Sequence, residues 1–114
     1  MSVSNARSLP FASFGRTDVA VVGGKNASLG EMIRHLGAQG VAVPPGFATT
    51  ATAYREFLAA NKLEPVIDAA YAALAAGTAT LAQTGKTIRA AILSAEWPAG
   101  MAADILESYR QLQP

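Results

Sequence analysis

The chain contains no cysteine, which excludes disulfides, thiolate nucleophiles and zinc–thiolate sites. Its one histidine, His35, is too few for a multi-histidine metal site. Charge is also scarce. Charged residues make up 15% of the 114, against about 25% in an average globular domain. A net charge of +1 gives no long-range field to draw in nucleic acid or an acidic membrane surface. The nine lysines and arginines are scattered, with no basic run. No apolar stretch approaches the roughly 20 residues a membrane helix requires. The first residues, Met1 to Arg7, are polar and lack the apolar centre of a secretory signal. These absences point to a cytoplasmic protein with neither nucleic acid nor membrane as a partner.

What is present is apolar: 51% of the residues are hydrophobic, so the chain is no disordered tail. Its length suits one domain rather than two. Much of the excess is alanine, a helix former that needs no burial. Low charge beside so much alanine suggests a surface that faces another part of a larger protein. Residues 1–8 read as a polar, frayed start, and 9–114 as the body of the domain. The last residue, Pro114, follows a helical pattern with no linker composition, which reads as a truncation.

Along the chain, Leu9 to Phe14 fits a short strand ending at Gly15. Val19 to Val22 is a strand by propensity, but Thr17 or Asp18 equally suits capping a helical turn there. After Gly23 and Gly24, the spacing of Leu29, Met32, Ile33 and Leu36 predicts one apolar helix stripe. Asn26 fits as its cap, as does a capping box of Ser28 with Glu31, and Gly37 or Gly40 offers a left-handed ending. Pro44-Pro45-Gly46 is a turn, and Phe47 to Thr49 a short strand. Thr50 suits capping a helix that buries Tyr54, Phe57 and Leu58 and ends at Asn61 and Lys62. Pro65 fits the first turn of the next helix, with Ile67, Ala70, Tyr71 and Leu74 on one face and Gly77 after it. Thr80 and Gln83 form a capping box for a helix through Ile88 and Ile92. Pro98 opens a last helix carrying Met101, Ile105, Tyr109 and Leu112, with Trp97 as its packing anchor. The predicted class is α+β, mostly helical, with a helix-on-helix core and front strands that complete a sheet lying mostly elsewhere.

The chemistry is concentrated in Val22-Gly23-Gly24-Lys25-Asn26-Ala27-Ser28-Leu29-Gly30-Glu31-Met32. Glycine lets the backbone bend sharply and approach a ligand. Open N–H groups at a helix start favour an anion, and Lys25 adds a full positive charge. Gly23, Gly24 and Lys25 are therefore candidate phosphate contacts. The segment is not a Walker A loop, because Ala20 to Gly24 lacks the required glycine spacing. The same pattern also suits a plain strand-to-helix turn with a solvated lysine, and the pattern alone does not separate the two. Glu31 reads as a cap partner or solvated residue rather than a functional acid. His35 reads as a surface histidine.

Val22 to Met32, followed by Val41-Ala42-Val43-Pro44-Pro45-Gly46-Phe47-Ala48-Thr49-Thr50-Ala51 and Tyr54, closely resembles the start of phosphoenolpyruvate synthases. Related dikinases and rifampin phosphotransferases share the Gly-Gly-Lys and Val-Pro-x-Gly-Phe elements but usually have glycine where Asn26 stands. The resemblance is strong over about residues 19–58. It implies the amino-terminal subdomain of an ATP-grasp-like nucleotide-binding domain, truncated here, in which Lys25, Gly23 and Gly24 match the residues at the ATP phosphates. It also implies ATP with Mg²⁺ and, as partners in the intact enzyme, the rest of the nucleotide domain, a phosphohistidine domain and a pyruvate-binding barrel. The implied reaction converts ATP, pyruvate and water to phosphoenolpyruvate, AMP and phosphate. An arginine-bearing strand, the acidic metal ligands and the phosphohistidine of that family have no match here, so the chain by itself is expected to be inactive. Two other readings stand beside this one: a non-catalytic interaction module with the same fold, and a fragment of a pyruvate phosphate dikinase or rifampin phosphotransferase.

Overall fold

A computed structural model describes residues 6–112. The backbone forms two short strands and six helices, with two 3-10 turns near the front, in keeping with a mostly helical α+β chain. Its residues cluster into two compact units. One runs to Arg55 and resumes at Ala99; the other is Glu56–Pro98.

In the first unit, β1 (Ser8–Pro10) pairs antiparallel with β2 (Phe47–Thr49), in the register Ser8 to Thr49, Leu9 to Ala48 and Pro10 to Phe47. The predicted strand over Leu9 to Phe14 stops at Pro10, which has no N–H to continue a ladder. A 3-10 turn, Phe11–Ser13, follows. The frayed start expected for residues 1–8 lies partly outside the described residues, and Ser8 already belongs to the sheet. Among the described residues the two strands pair with each other. Gly46 lets the turn close, since a Cβ there would strike the Phe11 ring, and the Phe11 N–H donates to the Gly46 carbonyl at 2.9 Å.

Beyond a second 3-10 turn (Arg16–Asp18), Val19–Val22 is a single helical turn, α1, and not a strand. Neither Thr17 nor Asp18 caps it through a side chain. The Asp18 carboxylate instead accepts the Gly15 N–H at 2.9 Å. The long helix α2 spans Gly24–Gly37. Its buried residues are Ala27 and Gly30; of the predicted stripe, Leu29, Ile33 and Leu36 are half-buried and Met32 is exposed. The reason is the neighbour: Phe14, fully buried, centres a core with Val22, Ala27 and Ala48. A Cβ on Gly30 would run into the Phe14 carbonyl, so α2 turns its smallest residues inward. The core of this unit thus joins helix to strand, where helix on helix was expected. The left-handed ending falls at Gly40 (φ 83°), and the Val41 N–H returns to the Leu36 carbonyl. The final helix α6 (Met101–Arg110) lies beside both strands. It begins at Met101 behind a left-handed Gly100 (φ 80°), and not at Pro98. Met101 is buried while Tyr109 is exposed.

Helix α3 (Ala51–Ala60) carries the chain from one unit to the other. Thr50 caps it as predicted, its Oγ1 accepting the Ala53 N–H at 3.1 Å. Leu58 is buried and Phe57 half-buried, but Tyr54 is exposed. Lys62 ends it in the left-handed region (φ 53°). In the second unit, α4 (Glu64–Ala76) packs on α5 (Leu81–Leu93). Pro65 sits in the first turn of α4, and Gly77 ends it at φ 77°. Ala70 is buried against this neighbour while Tyr71 is exposed. The Thr80–Gln83 capping box is complete, with both reciprocal bonds formed. Trp97 is exposed, and its ring meets the edge of Phe57 at 5.7 Å between centroids, inside this unit.

Candidate functional site

The candidate site is the mouth of α2. Gly23 stands between two helices and serves both. Its N–H closes α1 on the Val19 carbonyl at 2.8 Å, and its carbonyl accepts the Ala27 N–H at 3.0 Å, the first bond of the α2 ladder. This double duty requires φ 85° and ψ 163°, a conformation in which a side chain is strained. No atom lies within 4 Å of where a Cβ would stand on Gly23 or on Gly24. The glycines leave this backbone bare and open.

A helix leaves its first N–H groups outside its own ladder. For α2 these belong to Gly24, Lys25 and Asn26. No side chain caps them and no acidic residue stands in the first turn, so the positive end of the helix dipole is not neutralised locally. Lys25 is exposed and, among the described residues, has no ion-pair partner. Gly23, Gly24 and Lys25, consecutive in the chain, form the start of α2.

The expected caps are placed differently. Asn26 lies inside the first turn, and its Nδ2 donates back to the Val22 carbonyl at 2.9 Å. Ser28 and Glu31 form no capping box, since both lie inside the helix. The Glu31 carboxylate accepts the Arg16 N–H at 2.8 Å, and its other oxygen lies 2.9 Å from His35 Nε2. The Arg16 N–H is the main cause that holds the Glu31 carboxyl below its ordinary 4.5; desolvation opposes it, and His35 adds to the lowering. Glu31 therefore ties the 3-10 turn at Arg16 to α2, a role the sequence reading missed. A carboxylate one turn before a histidine signals only the contact with His35, not the bond to Arg16.

Two clefts lie elsewhere. One of about 300 Å³ in the first unit is lined by apolar groups such as Phe11, Ile33, Val43 and Phe47. Another, in the second unit, lies between α4 and α5 among alanines and threonines. Neither includes Gly23, Gly24 or Lys25. The mouth of α2 is an open surface, suited to gripping the end of a ligand rather than enclosing it. Among the described residues, no group of three histidine or acidic side chains converges to hold a metal ion, so the Mg²⁺ implied by the resemblance finds no ligand set in this part of the chain. Among the same residues, no helix is long and apolar enough to cross a membrane.

A bare backbone, an open helix start and an exposed lysine make up a corner whose chemistry suits an anion. Comparison with known proteins makes the class specific: residues 19–114 match the family model described as pyruvate phosphate dikinase, AMP/ATP-binding domain, and the chain belongs to that family. It is 50% identical over 103 residues to the phosphoenolpyruvate synthase of Neisseria meningitidis serogroup B, covering 90% of this chain and 13% of that protein. It is 50% identical over 96 residues to the phosphoenolpyruvate synthase of Pseudomonas aeruginosa (83% and 12%). With the phosphoenolpyruvate synthase of Deinococcus radiodurans it shares 44% over 104 residues (90% and 13%). The chain thus spans 12–13% of the length of these curated relatives.

Proposed function

We propose that this chain is the amino-terminal part of a cytoplasmic phosphoenolpyruvate synthase, with residues 9–114 forming part of its nucleotide domain. In this reading Lys25 and the backbone at Gly23 and Gly24 hold the phosphate end of ATP. The intact enzyme, with ATP and Mg²⁺, converts pyruvate and water to phosphoenolpyruvate, AMP and phosphate. The remaining nucleotide-binding elements, the phosphohistidine domain and the pyruvate-binding barrel belong to the rest of that enzyme.

The observation that carries the reading is that the family match over residues 19–114 takes in the mouth of α2, where the only charge in the first turn is an exposed lysine. The chemistry fits. A triphosphate needs donors that do not reorganise, and glycine-borne N–H groups at a fixed helix start supply them. An ammonium on a flexible stem follows the phosphate as a point charge.

The test is a Lys25→Ala substitution in the longer protein that carries this segment. A charged hydrogen bond contributes about 1.5–3 kcal/mol, so phosphoenolpyruvate formation from ATP and pyruvate should fall by about tenfold or more in kcat/KM. Unchanged ATP affinity and turnover would refute the assignment. Running the assay with and without added inorganic phosphate separates the water-dependent reaction from a phosphate-dependent one.

A further inference from the structure

The Val22 carbonyl is the last of α1, and in an unbroken helix it would accept the backbone N–H of Asn26, four residues on. Here the chain breaks at Gly23, so one ladder ends with the Gly23 N–H on Val19 and the next begins with the Ala27 N–H on Gly23. The vacancy between them is filled from the side chain: Asn26 Nδ2 donates to the Val22 carbonyl at 2.9 Å, in a half-buried position. We infer that Asn26 is a positioning residue for the phosphate corner, its side-chain amide standing in for its own backbone N–H so that this N–H is left open to an anion. The inference rests on the reading proposed above for Gly23, Gly24 and Lys25.

Three consequences follow from the geometry. The backbone N–H of Asn26 joins those of Gly24 and Lys25 outside the ladder. The Val22 carbonyl, whose bare oxygen would repel a phosphate, is covered by a donor. And because the Val22 side chain is buried in the cluster around Phe14, the amide ties the mouth of α2 to the core rather than to a mobile surface. Asn26 contributes no charge. Its part is to hold the angle between two short pieces of helix.

The test follows the amide signals of the nitrogen-15-labelled chain during titration with ATP–Mg²⁺ and, separately, with tripolyphosphate. Asn26→Ala removes the donor and raises helix propensity, so the fold should be retained. Asn26→Gln keeps an amide donor on a stem one methylene longer, which reaches the same carbonyl. The midpoint read from Gly24 and Lys25 should weaken by about two- to tenfold in Asn26→Ala and recover in Asn26→Gln, with the urea midpoint of both variants unchanged. An Asn26→Ala chain that titrates like the unsubstituted one, or that loses affinity only as it loses unfolding stability, overturns the role of Asn26. Lys25→Ala serves as the separate control: if that change leaves the response intact, or if the unsubstituted chain shows none, the reading of the corner itself fails.

Discussion

Single residues decide how α2 is tied to the turn before it, and Glu31 shows how. Its lowered pKa means that the folded chain binds the charged form better than the unfolded chain does. The contribution to stability is therefore fully present above the ordinary 4.5 and is lost as the pH falls below it, through the lowered folded value. Glu31→Gln removes this dependence. Urea midpoints of the two chains should differ by a constant amount in the neutral range and converge under acid; a difference undiminished at about pH 3 would contradict the linkage. Such a role was not legible beforehand. The sequence pattern offers Ser28 as the nearest partner for Glu31, whereas the actual donor, the Arg16 N–H, is brought to it only by the fold.

Elements were legible where local chemistry sets them. The Thr80–Gln83 box, Gly77 after α4, Pro65 in its first turn and Thr50 before α3 are each decided within a few residues, and the structure has them all. Faces were less legible, because a face is set by what lies against it. Leu29, Met32, Ile33 and Leu36 have the spacing of a buried stripe, yet α2 buries Ala27 and Gly30 because the Phe14 carbonyl and ring approach that side. Val19 to Val22 has strand propensity, but the Gly23 N–H closes on Val19 and makes a helical turn. This packing predicts a cost for Gly30→Ala. The added methyl meets a backbone carbonyl that has no rotamer to escape into. Overpacking costs about 1–3 kcal/mol, and the helix-propensity gain offsets at most about 1. With the gross cost at the upper end of that range and the helix gain taken off, the net loss should be on the order of 2 kcal/mol, measured by urea unfolding; a variant as stable as the original chain would show that α2 and Phe14 are not in close contact.

At the scale of the whole molecule, two motifs in order gave the family, whereas glycine, glycine and lysine before a helix suit a plain turn as well as a phosphate site, so the role proposed for them leans on the family. The described residues bring together no group of three metal-ligating side chains. Phosphoryl transfer requires positioned metal and several positive groups around the moving phosphate, and no metal-binding group converges here. The 114-residue chain alone should therefore show no phosphoryl transfer from ATP to pyruvate, and its affinity for ATP should be weaker than micromolar. The most direct test of the central claim is a map of amide shifts over the entire chain on addition of ATP, repeated with adenosine. ATP should move the signals of Gly24, Lys25 and Asn26 most, adenosine should leave them in place, and Lys25→Ala should abolish the ATP response. Largest shifts in α4 and α5, or an equal response to adenosine, would contradict that claim.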